Sequence, residues 1–176
     1  MVEQVVHPYN LQKALRQVVV NKGSAGIDGM KISELSEVFR KEKDAIIRSI
    51  KDENYLSQPI LGVEIPKGNG KTRLLGVPTV KDRLLQQAVS QALMQHWERD
   101  FNENSFGFSP NKNARQAVGK AMQYIHEGRT YIVDIDLKTF FDEVDHCLLL
   151  NLLYQKVKCP KTLKLVRQWL RAPIKI

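Results

Sequence analysis

The chain has 176 residues, 43% of them hydrophobic, and a net charge of +8 from 27 Lys+Arg against 19 Asp+Glu. That length allows one domain or two small lobes with a real core, and the basic excess favours a polyanionic partner, most simply nucleic acid, although many soluble proteins are basic. No apolar run reaches membrane-spanning length and the first residues form no signal-peptide core, so no membrane partner and a cytoplasmic location are expected.

In chain order, residues 9–21 read as a helix. Asn10 is the expected cap, and Leu11, Ala14, Leu15, Val18 and Val19 form one apolar stripe. Gly23-Ser24-Ala25-Gly26-Ile27-Asp28-Gly29 is turn chemistry. Its glycines would let backbone approach a phosphate, but a lone glycine-rich turn supports no more than a simple loop. Ser33 is expected to cap a second helix carrying Leu35, Val38, Phe39, Ile46, Ile47 and Ile50.

Residues 60–77 read as a β-hairpin whose loop, Pro66-Lys67-Gly68-Asn69-Gly70-Lys71, contains the strong Asn-Gly turn signal. Lys67, Lys71 and Arg73 crowd its tip, with Lys81 and Arg83 close behind. Flexible cations on a hairpin suit a triphosphate or a nucleic-acid backbone; a solvated hairpin end accounts for them equally well. Thr79 and Asp82 form a capping-box variant that opens a long helix with Leu84, Leu85, Ala88, Val89, Ala92, Leu93 and Trp97 on its buried face.

Residues 101–113 are irregular, and Phe106 and Phe108 there could stack on bases or plug into the core. Asn113 with Gln116 caps a helix whose Ala114, Ala117, Val118, Ala121, Met122 and Ile125 suggest close packing against a sheet. After Gly128, Tyr131 to His146 reads YIVDIDLKTFFDEVDH, a β-prone run followed by acids and two aromatics. On a strand Asp134 and Asp136 would share a face about 7 Å apart and repel by roughly 2 kcal/mol at an effective dielectric of about 20. Exposed acids tolerate that; in a buried strand a cation such as Mg²⁺ is the natural compensation. Asp145 then caps a leucine-rich helix and Pro160 opens a last one. Cys147 and Cys159 have no metal-ligand spacing and are expected to be small core residues of a cytosolic protein. No His pairs with Ser or Cys in a nucleophile arrangement, so acyl transfer finds no support.

Four of these stretches, in this order, resemble the N-terminal part of group II intron-encoded reverse transcriptases, or maturases. NKGSAGIDGM is similar to the family's N-terminal extension block, VEIPKGNGKTRLLGVPTVKDRLLQQAV to its fingers block, NSFGFSPNKNARQAV to the next, and YIVDIDLKTFFDEVDH to the block with the first catalytic aspartate. The resemblance implies an α+β right-hand polymerase fragment, mostly helical with a β-hairpin and the first palm strand. Residues 1–128 would be the N-terminal extension and fingers, and 129–176 the start of the palm.

It also implies the site. Asp136 falls at the metal-binding position with Leu137 as its companion through the backbone carbonyl, and Phe141 at the steric gate against a ribose 2′-hydroxyl. Lys67 and Arg73 fall where fingers cations hold the incoming triphosphate. Lys71, Lys81, Arg83, Lys112 and Arg115 are further cations expected to meet RNA. Ser109 departs from the family, which often has Arg there. The implied reaction is RNA-directed DNA synthesis with Mg²⁺, on an intron RNA template, a DNA primer and dNTPs. The family's Tyr-x-Asp-Asp turn is absent from these 176 residues, as are the thumb and X domain. Two-metal phosphoryl transfer needs carboxylates from both acidic motifs, so this polypeptide alone is expected to be inert. The 131–136 strand would lack neighbours and be expected to dimerise, swap or be covered by the chain's own helices. The alternative is a non-catalytic module that binds intron RNA in splicing. A different metal-dependent phosphotransferase would explain Asp136 but not the three blocks before it.

Overall fold

The computed structural model describes residues 1–68 and 70–176, with the side chain of Lys67 also left out. Asn69 and the Lys67 side chain, both singled out above, therefore lie outside the described residues. The elements run α1 (Val2–Val5), α2 (Pro8–Asn21), α3 (Ile32–Lys51), β1 (Ile60–Lys67), β2 (Lys71–Val77), α4 (Val80–Trp97), a 3₁₀ turn (Glu98–Asp100), α5 (Ala114–His126), α6 (His146–Val157), α7 (Pro160–Leu170) and β3 (Ile174–Lys175). This is the expected α+β composition, mostly helical with a small sheet. Packing divides the chain into two compact units: Met1–Met94 with Asp145–Ile176, and Gln95–Val144.

The first unit holds the hydrophobic core. Leu11, Ala14, Leu15 and Val18 of α2 meet Leu35, Phe39 and Ile50 of α3, Val80, Leu84, Leu85, Ala88, Val89 and Ala92 of α4, and Leu165 of α7. These are the helical stripes expected from the 3.6-residue period, and burying each large side chain contributes about 1.5–3 kcal/mol. Two helix starts differ from expectation. Pro8 takes the first position of α2, where its missing N–H costs nothing, and His7 Nδ1 accepts from Tyr9 N–H at 3.3 Å. Asn10 is therefore inside the helix. Its amide donates to the Val5 and Ala88 carbonyls at 2.9 and 3.0 Å and bridges α2 to α4. Ser33 is likewise inside α3; Lys31 is the cap residue, and its N–H donates to Glu34 Oε2 at 2.7 Å.

The hairpin forms as read, with β1 and β2 antiparallel and Ile65 opposite Arg73. The sheet gains a third strand that the sequence did not announce. β3 runs parallel to β1, with Ile60 opposite Ile174. Gly62 makes the room: a Cβ there would stand 2.9 Å from Ile174 Cγ2.

The second unit has helix but little core. Asn113 and Gln116 form the expected reciprocal cap of α5, at 3.0 and 2.8 Å. The expected packing of the α5 alanine face does not occur, since no α5 side chain is buried. The expected strand at 131–136 is also absent: these residues form no ladder. Tyr131, Ile132, Val133 and Ile135 are 81–95% exposed. A strand needs a neighbour for its N–H and C=O groups, and the described strands lie in the other unit, ordered β2-β1-β3. Cys147 is exposed and Cys159 half-buried, so neither is the core residue expected.

Candidate active site

The expected site residues fall in both units. In the first, the β1–β2 ribbon carries Lys71 and Arg73, both exposed. Arg73 has no acidic partner among the described residues, so its guanidinium is free to meet an anion. The cations behind the hairpin are committed. Lys81 Nζ stands 2.6 Å from Glu42 Oε2. Arg83 donates through Nη2 to the Ser24 carbonyl, while its Nε is buried without a partner among the described residues. Burial lowers the Arg83 pKa, against the opposing charge of Asp28.

The glycine-rich loop lies against this arginine and the start of α4. A Cβ on Gly23, whose φ is +114°, would come within 2.8 Å of Arg83 Nη1, and one on Gly26 would lie 2.6 Å from Thr79 Cα. The loop is thus packed onto the start of α4. A cavity of about 560 Å³ nearby is lined by Glu42, Ser49, Tyr55, Gln58 and Thr79 among others; of the expected site residues it holds only Lys81.

Asp82 is the polar residue that sequence reasoning underrated. It is buried, and its carboxylate accepts from four donors. Tyr55 OH and Trp169 Nε1 reach Oδ1 at 2.9 Å each, Thr79 Oγ1 reaches Oδ2 at 2.8 Å and Gln58 N–H reaches it at 3.1 Å. It joins α4, α7 and the segment before β1. Burial, and then the Asp82 charge, push the Tyr55 phenol well above its ordinary pKa. The spacing Thr79–Asp82 reported only the local half of this network.

In the second unit, Asp136 lies on irregular chain and is exposed. Its Oδ1 accepts the Leu137 N–H at 2.9 Å, and its other oxygen has no protein donor among the described residues. Asp134 is exposed too, and without a strand the alternation that would align the two acids has no basis. Phe141 is 88% exposed and meets Phe140 edge-on, centroids 5.3 Å apart. A turn follows, in which Asp142 and Glu143 N–H donate to the Thr139 carbonyl at 2.9 and 3.1 Å. Lys112 donates to the Glu103 and Ser105 carbonyls at 2.7 and 3.0 Å and shapes the 101–113 loop. Arg115 is exposed, and so is Phe108, while Phe106 is half-buried under Lys112.

Among the described residues no three His, Cys, Asp or Glu side chains gather as a metal cage. Asp136 and the adjacent Leu137 carbonyl are nonetheless hard oxygen donors of the kind Mg²⁺ takes, with phosphates and water filling its shell. They fit an ion shared with a substrate, not a site built by protein alone.

The first unit thus presents an exposed cationic ribbon, and the second an exposed aspartate among apolar and aromatic residues. Comparison with known families settles the class. Residues 65–176 match the reverse transcriptase (RNA-dependent DNA polymerase) family, and the chain belongs to it, with group II intron-encoded proteins among its relatives. Over 161 residues it is 35% identical to the group II intron-encoded protein LtrA of Lactococcus lactis, covering 90% of this chain and 26% of that protein. Over 174 residues it is 29% identical to protein YkfC of Escherichia coli, covering 96% of this chain and 46% of that one. A 91 kDa protein in a cob intron of Schizosaccharomyces pombe is 30% identical over 146 residues, 83% of this chain and 17% of that protein. The chain thus spans from a sixth to just under half of these relatives' lengths. Its family generally uses a divalent metal.

Proposed function

We propose that this chain is the fingers and palm entry of an RNA-directed DNA polymerase of the group II intron type, working on an RNA template, a DNA primer and dNTPs. The observation that carries this reading is the family match over residues 65–176, which includes both Arg73 and Asp136. Asp136 and the Leu137 carbonyl would hold Mg²⁺, which supplies charge stabilisation at the transferring phosphate. Lys67 and Arg73 would neutralise the triphosphate, and Phe141 would stand against a 2′-hydroxyl.

The test is primer extension. In a protein carrying this chain together with a Tyr-x-Asp-Asp segment, Asp136→Ala should cut the rate by roughly a thousandfold or more, several kcal/mol of lost charge stabilisation. RNA affinity should stay within about twofold. Extension unchanged by Asp136→Ala would overturn the assignment of roles.

The net charge of +8 favours a second reading, an RNA-binding splicing module without chemistry; no extension by the Asp136-bearing protein, with its RNA affinity intact, would select it. The exposed apolar residues Tyr131, Ile132, Val133 and Ile135 also support self-association of the isolated chain. Sedimentation at rising concentration should show a dimer that Ile132→Glu dissolves; a monomer throughout would remove that part.

A further inference from the structure

The positive charge is unevenly placed. Residues 145–176 contain seven Lys or Arg against one acid, net +6, whereas the 144 residues before them hold twenty against eighteen, net +2. Three-quarters of the excess therefore sits on the α6–α7 hairpin and the strand after it, outside every block assigned to the polymerase site.

The geometry gathers these charges around a groove. Lys164, Arg167 and Arg171 recur at i, i+3 and i+7, so they share one face of the α7 end over roughly 10 Å. A cleft of about 310 Å³ between α6 and α7 is lined by Asn151 and Tyr154 from one helix and Leu163, Lys164 and Arg167 from the other. Tyr154 is 49% exposed, an aromatic surface left open to solvent. Lys158, in left-handed backbone at the end of α6, stands between the helices. Glu53 is shared by Lys161 and Lys164 at 3.8 and 3.4 Å. Lys158, Arg167, Arg171 and Lys175 have no carboxylate partner among the described residues and are all exposed.

Cations alone would suit any polyanion. Here they flank a half-open phenol ring and a side-chain amide, the combination that binds a single strand by stacking a base and tracking its phosphates. We propose that the α6–α7 groove is a second nucleic-acid contact, one that takes single-stranded RNA: Tyr154 stacks on a base, Asn151 faces its edge, and Lys158, Arg167 and Arg171 meet the flanking phosphates. This surface draws on the nucleic-acid character of the family but not on Asp136, Arg73 or any step of polymerisation.

The probe is a fluorescein-labelled twelve-uridine RNA titrated by anisotropy against the 176-residue chain at several salt concentrations. Arg167→Ala/Arg171→Ala should flatten the plot of log K against log salt by about 1.4, two cations at about 0.7 each for a single strand. Tyr154→Leu should weaken binding roughly fivefold or more at unchanged slope. Photocrosslinking of a 4-thiouridine version to the unaltered chain should map to residues 150–171, a readout that no variant's folding can confound. Three outcomes would overturn the proposal: crosslinks confined to the β1–β2 ribbon, an unchanged slope in the double variant with its circular dichroism intact, or displacement by polyglutamate as readily as by RNA. The polymerase reading would survive each of these, because Asp136-dependent primer extension reports on it separately.

Discussion

The two units answer the same question differently: what holds a helix once its sequence has started it? In the first, α4 is buried along Val80, Leu84, Leu85, Ala88 and Ala92 in a core shared with α1, α2, α3 and α7. In the second, α5 has an equally well-formed start, the Asn113–Gln116 reciprocal cap, but buries no side chain. Local signals define where an element begins; only packing gives it tertiary stability, and short isolated helices are marginal in water. The residue proposed to hold the metal, Asp136, lies in the weakly packed unit, while the cationic ribbon is rooted in the packed one.

The contrast is broken most severely at Asp82. Removing its carboxylate leaves the Tyr55, Trp169, Thr79 and Gln58 donors without their acceptor inside the first unit. Asp82→Ala should cost about 3–5 kcal/mol in urea unfolding followed by tryptophan fluorescence. Asp82→Asn, which keeps one oxygen, should cost less. A loss under about 1 kcal/mol would show that the network adds nothing to burial.

Titrating the network's phenol has a smaller effect, and its sign is fixed. The folded chain holds Tyr55 protonated above its ordinary pKa, chiefly through burial. Between the unfolded and folded values the native state binds the extra proton. Stability is therefore full below about pH 10 and falls above it, at up to about 1.4 kcal/mol per pH unit. Tyr55→Phe should remove that portion of the alkaline slope; an identical slope would place its origin in other groups.

What was readable in the sequence follows the same division. The hairpin, the Asn113–Gln116 and Asp145 caps and the helical stripes are written in residues close together in the chain, and they stand in the structure. Asn10 was misread because Pro8 sets the helix start two residues earlier, freeing that amide to bridge to α4. The strand expected at 131–136 is not formed, and β3 forms unannounced, for one shared reason. A strand exists through its partner, and neither the missing ladder nor the pairing of Ile174 with Ile60 is marked in the local pattern. The family blocks assign expected roles to Arg73 and Asp136 through motif order, which is a chain-long property. They could not report that Lys81, Arg83 and Lys112 are bound to Glu42, Ser24 and the 101–113 loop.

The smallest expected effect sharpens the comparison best. Asn113→Ala removes the side-chain acceptor for Gln116 N–H, a bond of 3.0 Å at the exposed start of α5. In a buried helix the loss of such a cap, about 1 kcal/mol, would be diluted by packing. Here α5 has Val118, Met122 and Ile125 open to solvent and buries no side chain. Hydrogen exchange should therefore quicken by roughly fivefold across residues 114–126, the ratio that about 1 kcal/mol gives, while amides of Leu84–Ala92 keep their rates. If α4 quickened in step with α5, the contrast in packing between the two units would not extend to their stability.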